Sequence, residues 1–384
     1  MKKTLAILLI FFAFAPHAFA QDDQNAIPDT VTTVKAQVLN IESSETKQVP
    51  GTDVTSVYQT IDVQILEGAE KGKTVTVDND YLSLTKGEVF YLQTTIRGAD
   101  GIEIYAVSDP YRIPTLIFFV VLFVVLVLVF GGVQGIRGIL SLIGSLALIT
   151  YVLIPGILSG YSPILLSLGV SALIIIVGSY ITHGFNRTTT SAVFGMLVTI
   201  VITGLLAYAA VHFARLSGFA TEETVYLNMN TRGSINFIGL LLGGILIGLL
   251  GILYDVAIGQ AIAVEELHTV APHLPRAAIY KRAIRIGREH IGALVNMLAI
   301  AYVGVSLPLI LLYATSANAS FAMTVNREIF ATEIIRAMVG SIGLVLAVPI
   351  TTIISVWFLI QMKEVSGDEE RIKREEEIIN QYKI

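Results

Sequence analysis

In the long apolar part of this 384-residue chain, four polar residues stand where they could act on a solute or an ion: Asp255, Asn296, Glu333 and Arg336. Asp255 follows Tyr254 near the end of a glycine-rich run. An unpaired carboxylate in lipid costs roughly 3 kcal/mol by insertion scales, so it must face a bundle interior, interfacial water or a basic partner. Ion coordination, proton relay and a plain interfacial ion pair all fit it. Glu333 and Arg336 are three apart and can pair on one helix face. Their segment, Asn326 to Met338, places Ile329, Phe330, Ile334, Ile335 and Met338 at helical spacing. It reads as an interfacial helix, or as a charged pair aimed into the mouth of a bundle.

Catalytic chemistry finds less support. Glu265, Glu266, His268 and His273, on a connection broken by Pro272 and Pro275, lack any recognised metal-ligand spacing, and no metal or cofactor is expected. Tyr254-Asp255 is half of an aspartyl pair without its partner. Gly340-Ser341-Ile342-Gly343 resembles a serine site, but a base such as His290 starts from the opposite membrane face. The chain has no P-loop motif, and with no cysteine it has no disulfide, thiolate site or lipoprotein anchor. These features predict a protein that is not an enzyme.

The elements that position these residues are membrane helices. Hydrophobic residues make up 54% of the chain and charged ones 14%, where a soluble protein carries roughly a quarter charged. Lipid resolves that shortage. About seven spans are predicted, near 115–132, 138–157, 163–182, 191–213, 235–258, 292–314 and 340–361. The fifth carries Gly239, Gly243, Gly244, Gly248 and Gly251, overlapping small-xxx-small pairs read as helix packing. Gly340, Gly343 and Pro349 are expected to interrupt the last span, and interrupted spans are where transporters hold ligands. The second and sixth spans share an Arg-to-Tyr spacing, Arg137 to Tyr151 and Arg288 to Tyr302, which would suit parallel repeats.

Ahead of the helices, residues 1–20 read as a signal peptide: Lys2 and Lys3, an apolar stretch, then Ala18-Phe19-Ala20. Residues 21–112 form an extracytoplasmic β domain. Its strands are predicted over Val31–Ile41, Val54–Leu66, Lys73–Asp78, Val89–Ile96 and Ile102–Val107, which suits a small OB-like barrel. The helical domain spans 113–362, and 363–384 is a charged tail. Arg137, Arg187, Arg276, Lys281, Arg282, Arg285 and Arg288 fall on the side that this topology makes cytoplasmic, as the positive-inside rule requires. The C-terminus is then cytoplasmic. The net charge of −5 gives no reason to expect nucleic acid; the bilayer is the expected partner, with a small solute or ion and a second subunit or copy of the chain as further ones.

Four segments resemble the YibE/F-like family of bacterial multi-pass membrane proteins: Gly251 to Val256, Gly287 to Gly292, Asn296 to Gly304 and Arg336 to Thr351. The sequence departs from that pattern at Ala293 to Met297, where a Thr commonly flanks the Asn. The resemblance implies a bacterial cell-membrane location and a loosely described permease role, without a substrate. A permease or secondary transporter is therefore expected. The alternative is a non-transporting module whose β domain binds a ligand or envelope partner.

Overall fold

The computed structural model describes residues 29–48, 51, 53, 55–98, 100–315 and 320–360. The expected signal peptide (1–20) and charged tail (363–384) lie outside the described residues. Two compact units meet at Val127/Leu128.

The first unit carries five antiparallel strands: β1 (Thr30–Gln48), β2 (Thr55–Ile65), β3 (Thr74–Asn79), β4 (Val89–Ile96) and β5 (Glu103–Pro110). They form one sheet in the order β3-β2-β1-β4-β5, curled into a half-barrel. β1 pairs with both β2 and β4 and breaks register after Val38 and after Ile41, which lets one long strand serve both neighbours. Ala36, Val38, Ile61, Val63, Phe90 and Leu92 alternate inward and are fully buried.

Three polar side chains, Gln59, Asn79 and Thr94, share that inward face. Gln59 is buried, donates from Nε2 to the Leu84 carbonyl (3.0 Å) and accepts the Leu84 N–H at Oε1 (2.8 Å). Asn79 donates to the same Oε1 (3.1 Å), and its own Oδ1 accepts from the Tyr81 and Leu82 amides. Two side-chain amides thus replace strand pairing for the loop after β3. At the sheet's far edges, Lys73 beside β3 donates to Glu70 (2.6 Å), Glu103 (3.0 Å) and the Tyr105 hydroxyl (2.8 Å) of β5. These carboxylates push the Lys73 ammonium above its ordinary pKa; the Tyr105 and Lys73 donors pull Glu103 below its own.

The helical part begins with α1 (Ile113–Leu148), a π turn (Ile149–Leu153) and α2 (Ile154–Leu158). Together they make one apolar run of 46 residues, whose backbone breaks at Gly132 (φ 52°, ψ −134°). Then follow α3 (Pro163–His183), α4 (Arg187–Phe213), α5 (Glu222–Asn230), α6 (Phe237–Val270), α7 (Arg276–Val305), α8 (Leu307–Ala314), α9 (Phe321–Val325) and α10 (Glu328–Leu359). Five helices are long and apolar enough to cross a membrane, or six if the bent pair α7–α8 counts as one span. The expected spans at 115–132 and 138–157 fall within the single 46-residue run.

The centre of the bundle is a seam between α4 and α10. Small residues recur every fourth position on each: Ser191, Gly195, Thr199 and Thr203 on α4, and Gly343, Ala347, Thr351 and Ser355 on α10. They meet antiparallel. The Ser191 and Ser355 hydroxyls are 3.0 Å apart, a Cβ placed on Gly195 would stand 2.9 Å from Thr351 Cα, and one on Gly343 would stand 2.6 Å from Thr203 Oγ1. Thr199 and Thr203 return their hydroxyls to the carbonyls four residues back, Gly195 and Thr199 (2.8 Å each), so those polar groups are met within the helix.

Three expectations are corrected here. The last span is not interrupted: α10 runs 32 residues, because Gly340 and Gly343 are buried contact points and Pro349 sits inside the helix without ending it. The segment 326–338 is no separate interfacial helix. It supplies the first turns of α10, whose buried face passes in phase from Thr332 through Val339 and Gly343 to Ala347. The long connection carrying Glu265 to His273 is also mostly helix, since α6 continues to Val270 and only Ala271–Pro275 separates it from α7.

Gly195→Ala is expected to destabilise the bundle by about 1–3 kcal/mol, because the neighbouring Thr351 backbone cannot rotate away. Gly251→Ala meets nothing within 4 Å and should leave thermal unfolding in detergent unchanged or raised. In the β domain, Gln59→Leu should cost about 1–3 kcal/mol in denaturant unfolding, since it strands both Leu84 backbone groups.

Candidate functional site

The break in the helical array falls one span earlier than the sequence suggests. Pro308 lacks an N–H and constrains the residue before it, and the chain bends by 63° between α7 and α8 at Ser306. The bend, α9 and the first turns of α10 leave a cavity of about 460 Å³. Its surface is almost entirely apolar, from Leu309, Ile310, Phe321, Phe330, Ile334 and Met338, and Tyr302, Ser306, Tyr313 and Thr324 line it through their carbon atoms. Among the described residues that line it, Glu333 is the one carboxylate. The volume lies in the range of small-molecule pockets.

Glu333 is positioned by α10, whose seam with α4 fixes the helix's rotation. Its Oε1 accepts from Arg336 Nη1 at 2.9 Å, with the two side chains 22% and 33% exposed. That half-buried state is where an ion pair keeps much of its Coulomb energy and costs more to break than a surface pair. The other oxygen, Oε2, is buried and has no hydrogen-bond partner. Tyr302 of α7, which shares the cavity wall, brings its hydroxyl to 3.9 Å from where a Cβ on Gly248 of α6 would be.

The four polar residues singled out from the sequence are not brought together. Glu333 and Arg336 pair; Asp255 and Asn296 are exposed and line no part of this cavity. Asp255 lies two turns beyond Gly248 on an open face of α6 that also carries Gly244, Gly251 and Gly259. Of the packing glycines, Gly239 lies against Pro163 and Gly243 against Ser167, whereas Gly244 and Gly251 have no neighbour within 4 Å. The seam glycines Gly195 and Gly343 pack as closely, against Thr351 and Thr203. Gly287 does similar work, with Val348 and the Gln260 side chain against it.

Two polar clasps tie the ends of the bundle. At the start of α10, Glu328 Oε1 accepts from Ser217 N (2.7 Å), Ser217 Oγ (2.7 Å) and Gly218 N (2.9 Å), so one carboxylate holds the loop after α4. At the other end, Arg276 donates from Nε and Nη2 to the carbonyl of Ile360, the residue that caps α10. Between them, buried Gln260 donates to the Ala283 carbonyl at 2.7 Å, joining α6 to α7.

This same stretch, from the first apolar helix to the end of α10, matches the family model of YibE/F-like proteins over residues 119–361. The chain belongs to the YibE/F-like family. Comparison with curated proteins and with solved structures returned no match. Family membership and the apolar helices mark it as a membrane protein. In this YibE/F-like protein the motif residues divide by role. Gly287 and Gly343 are points of close approach, and Tyr254 donates to the Gly178 carbonyl at 3.2 Å. Tyr302 and Arg336 belong to the cavity and its ion pair.

The chain lacks cysteine, so single cysteines report cleanly. Gly251→Cys is expected to react with water-soluble thiol reagents in intact membranes, because the carboxylate on the same face requires water. Ala347→Cys, fully buried in the seam, should stay unmodified. Equal protection of both would mean that lipid covers the Asp255 face.

Proposed function

We propose that this YibE/F-like protein is a permease or secondary transporter of a small solute. The path begins in the cavity at Glu333 and Arg336, passes Tyr302 and follows the glycine face of α6 to Asp255. The observation that carries this reading is the bent span α7–α8, with a cavity and a half-buried ion pair at the bend. Irregular backbone inside a membrane is tolerated where it lines a cavity, and transporters place their ligands there. No step of this reading requires covalent chemistry.

The finer topology follows from length. At 1.5 Å per residue, the 46-residue run is roughly 70 Å long, about twice the hydrocarbon thickness. The break at Gly132 supports two crossings there, and with α3, α4, α6, α7–α8 and α10 the total is seven. The β domain then lies outside the cytoplasm of a bacterial cell and the C-terminus inside. Contacts within the bundle are consistent with this: Ser217 and Glu328 fall at one end, Arg276 and Ile360 at the more basic other. The strand order, with Lys73 bridging from β3 to β5, supports an OB-like barrel. A second copy or another subunit is a further partner in this reading.

A second reading has one observation in its favour. The β domain carries a polar pocket of about 470 Å³, lined by Ser43, Lys47, Tyr58, Gln59, Asp78 and Asp80 among others. It suits a binding module for a polar ligand or envelope protein.

Reconstituted into liposomes, the protein should accelerate uptake from a panel of small organic solutes, and Arg336→Gln should reduce that rate at least tenfold through loss of the ion pair. Uptake no faster than in empty liposomes across the panel sinks the transport reading. Loss of cellular phenotype on deleting the β domain, with flux intact, would favour the second.

A further inference from the structure

The first half of α7 carries a line of positive charge that the fold leaves unbalanced. At about 100° per residue, Lys281, Arg285 and Arg288 fall within about 60° of one another, with Arg282 beside them. All four are exposed. They stand opposite Ile279, Ala283 and Gly287, the residues by which this end of the helix is buried. Like charges three and four apart on a helix repel one another, and an anion between them removes the penalty. Among the described residues none of the four has an ion-pair partner, and Glu289, four residues beyond Arg285, makes no ion pair with it.

We infer that this ridge is a binding site for an anionic phospholipid, its phosphate held by Arg285 and Arg288 and its acyl chains lying along the continuation of α7. The inference rests on the reading of α7–α8 as one membrane span and is independent of transport.

The helix matches an upright phospholipid along its length. From Lys281 to Arg288 the ridge is about 10 Å long, the order of one headgroup layer. Directly below it the charge stops: no Asp, Glu, Lys, Arg or His occurs from Ile291 to Val305. On the same outward side Gly292, Ala293, Asn296 and Ile300 are exposed. Gly292 has no atom within 4 Å of where a Cβ would stand, which leaves a shallow recess below Arg288. Asn296 is one turn farther. Helical side chains lean toward the N-terminus, so its amide donors reach back toward the level of the lipid's ester carbonyls. Guanidinium forks match phosphate oxygens better than an ammonium does, so Arg285 and Arg288 set the preference while Lys281 and Arg282 add attraction from the water side.

The chain holds one competing anion, the run Asp368-Glu369-Glu370 of the C-terminal tail. Arg276 ties Ile360, which caps α10, to the start of α7, so that tail leaves the bundle close to the ridge. An acidic peptide would meet the cations but leave the apolar strip below them bare. The lipid accounts for both halves of the face.

The test is tryptophan quenching by phospholipids with brominated acyl chains, on the full-length protein in mixed vesicles of phosphatidylcholine and phosphatidylglycerol, each lipid carrying the bromine in turn. Trp357, the chain's one tryptophan, is replaced by Phe. Ile300→Trp then reports on the strip below the ridge, and Leu205→Trp, on an exposed face of α4, reports on bulk lipid in a second protein. Quenching at Ile300→Trp should show about a fivefold preference for phosphatidylglycerol, the scale of one cation at an anionic lipid surface, and Leu205→Trp should show less than about twofold. Arg285→Gln with Arg288→Gln should bring the Ile300→Trp preference down to the Leu205→Trp value. Equal quenching by both lipids at Ile300→Trp overturns the inference. A preference that disappears when inorganic phosphate replaces chloride at equal ionic strength overturns it in favour of a soluble anion. One that emerges only with Asp368→Asn, Glu369→Gln and Glu370→Gln overturns it in favour of the tail. Quenching at Leu205→Trp with none by either lipid at Ile300→Trp refutes the span reading of α7–α8 and the site with it, so the two failures are told apart.

Discussion

Close backbone approach between α4 and α10 is the constraint on which the rest of the helical domain depends. Helices in lipid gain nothing from hiding apolar surface from one another, so association rests on packing and on hydrogen bonds between them. Here both operate along one line. Ser191, Gly195, Thr199 and Thr203 face Gly343, Ala347, Thr351 and Ser355, and each step of four residues keeps the small side chains on the contact ridge. Bulky residues flank the ridge: Met196, Ile200, Leu246, Leu249 and Leu344 close over it and exclude lipid from its edges. With the rotation of α10 fixed by the seam, the direction in which Glu333 projects is fixed as well.

That tight centre makes the looseness beside it meaningful. Buried residues are dense along α4, α6 and α10, whereas α7 buries only Ile279, Ala283, Gly287 and Leu298, and α8 buries none. The burial on α7 is concentrated toward its N-terminal half, where Gly287 and Gln260 let it approach α6 and α10. Beyond Leu298 the helix departs from the bundle and bends at Ser306, and the cavity occupies the space it leaves. Cavity and seam are thus two outcomes of one rule. Small residues close a gap between helices, and Pro308 with large aromatic side chains opens one.

The sequence displayed the β strands almost to the residue, because alternation and turn chemistry are local signals. It does not show the last seven residues of β1, the last three of β5 or the inward placement of Gln59, whose partners lie in a loop that no local pattern reveals. Among the helices, apolar length marked the spans, but their ends were misjudged: α6 and α7 carry charged residues well past the membrane limit, and hydropathy stops there. Glycine was overread on α6 and underread on α4 and α10. The conspicuous run from Gly239 to Gly251 is mostly open, while the working ridge mixes Gly with Ser, Thr and Ala and so carries no glycine signature. Its period of four was present in the sequence all the same. The Glu333–Arg336 pair was visible from spacing alone; the cavity was not, since Tyr302, Phe321 and Phe330 come from separate elements.

These restraints also say where the domain can move. α10 is tied at its start by Glu328, which accepts three donors from the loop after α4, and at its end by Arg276 on the Ile360 carbonyl. Sliding α10 along α4 would set Gly195 and Gly343 against the larger side chains between the small ones, and a packed seam resists that as a hard contact. Rotating α10 would break both clasps at once. At Pro308, by contrast, the backbone has no N–H to donate, and α8 has no buried side chain to hold it. In the transport reading, access to Glu333 would change by a swing of α8 about the Ser306–Pro308 bend, with α4, α6 and α10 as the fixed frame. On that reading the ion pair would stay on the stationary helix, and the wall to open would be the one built from Leu309, Ile310 and Tyr313.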